Sequence, residues 1–322
     1  MSQPSPFHRH TELFNGSEPT LIVDSRQAWT RLVSQGREVI LLEVLDTLPD
    51  AAFFLCLTWA GARRFQRLRP MLPRSRIVVI PQVSFSAHAS VASYTFDALS
   101  RSDLSGAVAR QRGWVDALSR AGDTVNFASA DAEIVCHLSP AVSLCAMEEP
   151  VVKPGTAPSV AEFCELTFGV RHPSDPFEFV IDGTLVARAC LAAHGSRMSI
   201  PDRRKFRAAS ALVPVVATKT LRMELRESHV VRCSLGDDDI TPTLKEYAGD
   251  RFGLRLTEFA IGVNDELLGG VDWTLNSPMN EGAAGIHLGL GDGDTGVHID
   301  FMVPGVSAPT SGSRTASSWP AA

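Results

Sequence analysis

Residues 280–305 read NEGAAGIHLGLGDGDTGVHIDFMVPG, two histidines and an aspartate set among glycines. His298 and Asp300 are separated by one residue. On a strand both side chains project from the same face, about 6–7 Å apart at Cα, close enough to serve one cation. His287 precedes His298 by 11 residues, across the segment GLGDGDTG, whose glycines and aspartates suit a hairpin turn. If IHLGLG and VHIDFM pair across that turn, the two imidazoles approach each other from adjacent strands. A His, His, Asp set matches the borderline character of Zn2+ and also admits Co2+ or Mn2+. The same residues have a purely structural reading, in which backbone or carboxylate partners satisfy the histidines and Asp292 and Asp294 serve the turn.

Glu258 adds a carboxylate in an apolar setting, LRLTEFAIGVND. A buried ionised carboxylate needs hydrogen-bond partners or a cation. Asn280 and Glu281 are turn-compatible and can sit near the same place, as minor candidates for catalytic groups. Cys136 adjoins His137, but neighbours on a strand point to opposite faces, which argues against a Cys/His nucleophilic pair. No glycine loop follows a strand and opens a helix, so nucleotide binding has no motif behind it.

The elements that must hold these residues divide into two compositional halves. Residues 21–24 (LIVD), 39–45 (VILLEVL), 52–59 and 76–81 (RIVVIP) read as strands, with SRQAWTRLVSQG helical in period. The basic stretch ARRFQRLRPMLPRS reads as a helix with a solvated face, and residues 96–117 as a further helix. AGDTVNFASADAEIVCHLSP reads as antiparallel strands bounded by turns. EEPVVKPGTAPSV, with three prolines and a glycine, marks a linker. Beyond it EFCELTFGV, FEFVIDGTLVARACLAA, TKTLRMELRESHVVRCSL and the closing segment carry strand signals, and TPTLKEYAGDRFG one helix, with Pro242 in its first turn and Gly249 or Gly253 at its stop. The reading is an α/β N-terminal domain (1–147), a mostly β, α+β domain (148–306) and a disordered Ser, Ala and Pro-rich tail (307–322).

Thirty Lys and Arg against 36 Asp and Glu give a formal charge of -6, so no broad positive field exists for a phosphate backbone and nucleic acid is not an expected partner. The six cysteines are scattered, mostly in apolar runs, without a CxxC pair; they read as small buried hydrophobes of a reducing compartment. The polar start lacks an apolar signal segment, and no later stretch nears the roughly 20 apolar residues that cross a bilayer. A cytoplasmic protein without a membrane partner is expected.

Taken in order, LTEFAIGVND, NEGAAGIHLGLG and GVHIDFM resemble the metal-binding part of the M29 metallopeptidases, the aminopeptidase T family, of which this chain would be a divergent, shortened member. The resemblance covers roughly residues 161–303 and is tightest over 255–303. It implies an aminopeptidase T-like C-terminal domain in which Glu258, His287, His298 and Asp300 hold metal. An earlier family glutamate corresponds to Glu162 or Glu165 in PSVAEFCEL, the candidate catalytic carboxylates. The EKxxG approach to the first histidine has become NEGAAG, and a family tyrosine after that histidine has no counterpart. The resemblance therefore implies a peptide-binding or peptide-modifying protein, with a precursor peptide as partner, in the maturation or cyclisation of a ribosomally synthesised peptide. Its N-terminal domain is expected to hold a leader segment, by strand addition at a sheet edge. An active metal-dependent aminopeptidase, or a noncatalytic peptide-binding scaffold that pairs as a homodimer through its sheet edges, are the alternatives.

Overall fold

The computed structural model describes residues 5–71, 73–139, 142, 144–168, 178–197, 199–293 and 297–307. The expected disordered tail, and Asp294 of the expected turn, lie outside the described residues. The first half is α/β. Strands β1 (Thr20–Val23), β2 (Val39–Leu41), β3 (Ala51–Leu55) and β4 (Arg76–Ile80) form a parallel sheet in the order β2-β1-β3-β4. Helices α1 (Arg26–Ser34) and α2 (Trp59–Leu68) make the crossovers after β1 and β3. The strand expected over residues 52–59 stops at Leu55. Asp24 accepts the N–H groups of Leu57 (2.7 Å) and Thr58 (2.9 Å), and Thr58 caps α2, so local side-chain bonds replace the ladder there.

The helix expected over residues 96–117 is two helices, α3 (Ala89–Arg101) and α4 (Leu104–Ala121). Ser102 is extended and the Asp103 carboxylate accepts the Gly106 N–H, so a new N-cap interrupts the apolar periodicity.

The remaining chain builds two antiparallel sheets. In chain order it runs β5 (Thr124–Ala128), β6 (Ala132–Leu138), β7 (Leu144–Cys145), α5 (Val160–Cys164), β8 (Glu165–Phe168), β9 (Phe179–Ala187), β10 (Ala189–Ala193) and α6 (Ile200–Val216). Then follow β11 (Leu221–Arg226), β12 (His229–Leu235), β13 (Asp238–Asp239), α7 (Thr241–Ala248), β14 (Leu256–Gly262), α8 (Asp265–Leu268), α9 (Pro278–Glu281), β15 (Gly285–Leu290) and β16 (His298–Pro304). One sheet has the order β13-β12-β11-β9-β6-β5 and the other β10-β16-β15-β14-β8-β7. The β5–β6 hairpin precedes residue 147 but pairs with β9. Helix α6 is absent from the strand-dominated expectation for this half. Ser199 caps it by accepting the Asp202 N–H, and Ala209, Val213 and Val216 anchor it in the core although Pro214 lies inside it. That proline, which ordinarily ends a helix, masks the period.

The two antiparallel sheets face each other across the main core. From one come Phe168, Phe259, Ile286, Leu288, Ile299 and Phe301, from the other Ile134, Ile181, Leu185 and Met223, all buried. Each such side chain stabilises by roughly 1.5–3 kcal/mol. Cys136 is buried in this core, whereas His137 lies on the opposite face beside Thr124, so the two do not form a pair. All six cysteines are free, Cys145 alone being exposed. Among the described residues no helix is long and apolar enough to cross a membrane.

His10 lies in the N-terminal core. It is 1 % exposed, its Nε2 is 3.1 Å from the Leu99 carbonyl oxygen, and its ring meets Phe53 edge-on. Burial lowers its pKa from 6.5 to about 4. The unfolded chain therefore takes up this proton first, and stability falls as pH drops from 6.5 toward 4. We expect acidification from pH 7 to pH 4.5 to destabilise the natural protein by about 2–3 kcal/mol more than His10→Gln, measured by denaturant unfolding at both pH values.

Candidate metal centre

One face of the β10-β16-β15-β14-β8-β7 sheet packs into the core, so the alternate residues must face away from it. Those residues are the ionisable ones. Glu165 pairs with Gly262, Glu258 with Gly289, Gly289 with Asp300, His287 with Met302, and His298 with Ala193. A β-bulge between Leu256 and Glu258 lets Leu256 stay in the core while Glu258 turns to the opposite face. Thr257 secures the bulge through its hydroxyl, which donates to the carbonyl of Gly291 at 2.5 Å.

His287 and His298 thus come from adjacent strands, with the Gly289 and Asp300 pair between them. Glu258 bridges the two rings. Its Oε1 lies 3.5 Å from His287 Nε2 and its Oε2 lies 3.2 Å from His298 Nε2. His298 Nε2 also lies 2.8 Å from Asp300 Oδ1, and His287 Nε2 lies 3.9 Å from Glu165 Oε2. Three triads, Glu165/Glu258/His287, Glu258/His298/Asp300 and Glu281/His287/Asp300, each bring their ligand atoms within 4.8 Å of one another. Glu258, His287 and Asp300 each belong to two of the triads, so the six residues form one continuous donor cluster.

All four metal candidates of the sequence reading meet here. Of the two alternative glutamates, Glu165 joins them and Glu162 does not. Glu162 is exposed, and its Oε1 accepts the Ser159 N–H at 2.7 Å in a capping box that starts α5. Its task is to begin the helix that delivers Glu165 to the strand.

Glu281, a minor catalytic candidate of the sequence reading that was not counted among the metal ligands, joins the cluster. It ends α9, and a Cβ on Gly262 would lie 2.1 Å from the Ala283 carbonyl oxygen and 3.2 Å from that of Glu281. The bare Gly262 thus lets the 281–283 backbone lie directly over β14. A polar network from the N-terminal half holds this segment. Tyr94 donates to Asn280 Oδ1, while Asn280 Nδ2 donates to the carbonyls of Asp272 and Leu275, each at 2.9 Å. Thr95 joins Gln82 (2.7 Å) to Ser277 (2.9 Å), and all three are buried. Such contacts between residues far apart in the chain leave no mark in local periodicity.

The donor set is short of partners. Both ring nitrogens of His287, Nε2 of His298, Oε1 of Glu165 and both carboxylate oxygens of Asp300 are buried without a hydrogen-bond partner. The short His298 to Asp300 contact is an ion-pair distance without hydrogen-bond alignment. His298 Nδ1 lies 2.9 Å from the Gly291 carbonyl, to which it donates, leaving the Nε2 lone pair directed into the cluster. A Cβ at Gly289 would sit 2.5 Å from His298 Cε1 and 2.9 Å from Asp300 Oδ1, so the cluster occupies the space of that missing side chain. Two imidazoles and four carboxylates, with orphaned atoms on both histidines, Glu165 and Asp300, fit a borderline divalent cation.

Electrostatics agree with that fit. Burial raises the Glu165 carboxyl to about 8, with the Glu258 and Asp300 charges adding to the effect against His287. Glu281 is likewise pushed well above the carboxylate range by burial and then by Glu165, Asp300 and Glu258. Burial also opposes ionisation of Glu258, but its close contacts with the His287 and His298 rings prevail and hold its carboxyl far below normal. Burial disfavours the charged imidazoles too, yet contact with Glu258 and the neighbouring carboxylates raises His287 to about 9 and His298 well above its ordinary value. Protons are held here where positive charge is needed, and a cation supplies the same charge.

Among solved structures, the fold is similar to wild-type AmpT from Thermus thermophilus, at 13% identity and a TM-score of 0.45 over 93% of this chain and 92% of that one. It is also similar to 2,5-dihydroxypyridine dioxygenase from Pseudomonas putida KT2440, at 11% identity and a TM-score of 0.49 over 92% of this chain and 90% of that one. No curated protein matches the sequence. The family described as crocagin biosynthetic protein CgnE/B matches residues 16–310. That match spans nearly the whole chain, which therefore belongs to the crocagin biosynthetic protein CgnE/B family, a family of natural-product biosynthesis.

Proposed function

We propose that the chain is a peptide-binding protein on an M29-like scaffold, which holds a ribosomally made precursor peptide beside a divalent cation during its maturation or cyclisation. The observation that carries this reading is the convergence of Glu165, Glu258, Glu281, His287, His298 and Asp300, with their orphaned buried atoms, on one sheet face. Family membership supports the biosynthetic setting. Glu165, Glu258, His287, His298 and Asp300 would hold Zn2+, with Co2+ or Mn2+ as alternatives. Such a cation, when bound, polarises an amide carbonyl and lowers the pKa of bound water.

The chain's own residues do the rest. Gly291 fixes the His298 tautomer, Gly289 keeps the floor open, and the Tyr94–Asn280 bond holds the segment that carries Glu281. Strand β2 pairs on one side only, with β1, and lies at the edge of the parallel sheet, where a leader segment can add as a further strand.

A second reading, a metal-dependent aminopeptidase, is favoured by Glu165 completing the ligand set and by Glu281 standing within the same cluster. There Glu281 takes the proton of the attacking water and passes it to the leaving amine.

Metal analysis of the purified protein should find at least one equivalent of a divalent cation, lost in His287→Ala and in Asp300→Ala. Gly289→Ala should weaken metal affinity by about tenfold or more, because its methyl group displaces His298 and Asp300. Metal content unaffected by all three substitutions would refute this centre, and failure to bind the precursor peptide encoded beside its gene would refute the peptide-holding role. If the chain is an aminopeptidase, it should release the N-terminal residue of leucine p-nitroanilide, and Glu281→Gln should slow this at least about 100-fold. A metal-loaded protein that releases none excludes the hydrolytic reading and leaves the holding role intact.

A further inference from the structure

The cluster has one approachable side. The side chains of His287 and Asp300 are fully buried, whereas those of Glu258 and His298 are each 13 % exposed. His298 pairs with Ala193, the last residue of β10, and the chain beyond it turns along the same side. The Gly195 N–H donates to the Gly293 carbonyl at 2.5 Å, and a Cβ at Gly293 would lie 3.5 Å from His298 Cβ and 3.9 Å from His194 Cα. The His194–Gly195 backbone is thus the immediate neighbour of the accessible histidine.

A pocket of about 680 Å³ opens there, walled by Trp59 of α2, His194, Ser196, and Arg203, Phe206 and Arg207 of α6. That volume lies within the ordinary range for small-ligand sites. Its walls are of two kinds. Three rings form one side, with His194 edge-on to Trp59 (centroids 5.7 Å apart) and to Phe206 (4.3 Å apart). Arg203 and Arg207, four residues apart on a helix, present two guanidinium groups on one face. Both are exposed, and neither forms an ion pair among the described residues, although the chain is acidic overall. Burial, and after it the Arg203 charge, lower the His194 pKa, so the positive charge of the pocket resides in the arginines.

We propose that this pocket is the recognition subsite for the peptide, taking an aromatic residue together with an adjoining carboxylate. The inference rests on the peptide-holding reading above and names the class of peptide. Rings favour stacked or edge-on aromatic partners, and a pair of guanidinium forks matches a carboxylate bidentately. Phosphate would satisfy the arginines but gains nothing from Trp59 and Phe206, so the mixed lining selects the peptide. The carboxylate comes from a free C-terminus or from an acidic side chain beside the aromatic residue.

Calorimetric titration of the metal-loaded full chain with four probes tests this: acetyl-Ala-Ala-Phe as the free acid, its C-terminal amide, acetyl-Ala-Asp-Phe amide, and acetyl-Ala-Ala-Ala as the free acid. At least one of the two carboxylate-bearing phenylalanine peptides, the free acid or the Asp-Phe amide, should bind at least about tenfold more tightly than the Ala-Ala-Phe amide and than the alanine peptide. Tight binding of the Asp-Phe amide would assign the carboxylate to a side chain, and weak binding to a C-terminus; both support the subsite. Arg203→Gln with Arg207→Gln should abolish the preference for acid over amide without altering metal content. Phe206→Ala should abolish the preference for phenylalanine over alanine. Equal binding of the phenylalanine acid, its amide and the Asp-Phe amide, no binding of any probe, or competition by inorganic phosphate that persists in the double arginine variant would overturn the proposal. In His287→Ala the acid preference should survive. Loss of metal with retained discrimination would therefore separate failure of the centre from failure of the subsite.

Discussion

The structure depends on one constraint: five ionisable side chains of one sheet face and Glu281 of α9 meet in a mostly buried cluster, in which atoms of Glu165, His287, His298 and Asp300 lack hydrogen-bond partners. Burying unpaired carboxylates costs several kcal/mol each unless a cation or a proton compensates. A hydrophobic face at the same place would be more stable, as the opposite face of the same strands shows with Phe259, Leu288 and Phe301. The chain accepts that cost over a large core, which is why the core carries two six-stranded sheets behind a small site. It also explains the small residues opposite the charges: Gly262 admits the Glu281 segment and Gly289 the His298 ring.

Because the sheet alone leaves this face open, the N-terminal half is part of the site. Asn276 seals the outer edge of β10, its Oδ1 accepting the Ala192 N–H at 3.0 Å and its Nδ2 donating to the Ala192 carbonyl at 2.7 Å. The same amide donates to the Phe85 carbonyl, and Gln82 Nε2 donates to the Asn276 carbonyl. Fully satisfied buried networks of this kind fix one geometry, since any displacement strands several polar groups at once. The position of Glu281 is therefore set by residues nearly two hundred positions away, Tyr94 and Thr95 through Asn280 and Ser277.

What could be read in the sequence follows from this division. His298 and Asp300 were legible because a strand repeats every two residues, and His287 because glycines and aspartates announced a turn. Glu258 was legible as a charge in an apolar run, although the bulge that aims it was not. The choice between Glu162 and Glu165 was available in principle, since Ser159 with Glu162 three residues later is a capping-box pattern that assigns Glu162 to the backbone. Glu281 was legible only as a minor candidate near the site, and α6 was hidden. Glu281 reaches the cluster through a tertiary crossing at Gly262, and Pro214 interrupts the pattern by which α6 would declare itself. The parallel sheet of the first half was visible as short apolar runs, but the break at Asp103 lay in a side-chain cap rather than in the hydrophobic period.

The family belongs to natural-product biosynthesis, and the site geometry narrows what such a protein can do with a peptide. His287 and Asp300 are sealed, whereas Glu258 and His298 are partly exposed, so approach to the donors depends on orientation. A pocket that grips neighbouring residues of the peptide supplies that orientation by binding energy gathered away from the reacting group. The pocket of Trp59, Phe206, Arg203 and Arg207 includes His194 and Gly195, which directly follow Ala193, the strand partner of His298, so on the proposed reading its grip acts on the chain that approaches the cluster. If the proposed peptide-holding role is correct, selection at this pocket and chemistry at the buried donors are separate tasks, and the bond-forming or bond-breaking step is set by the donors alone.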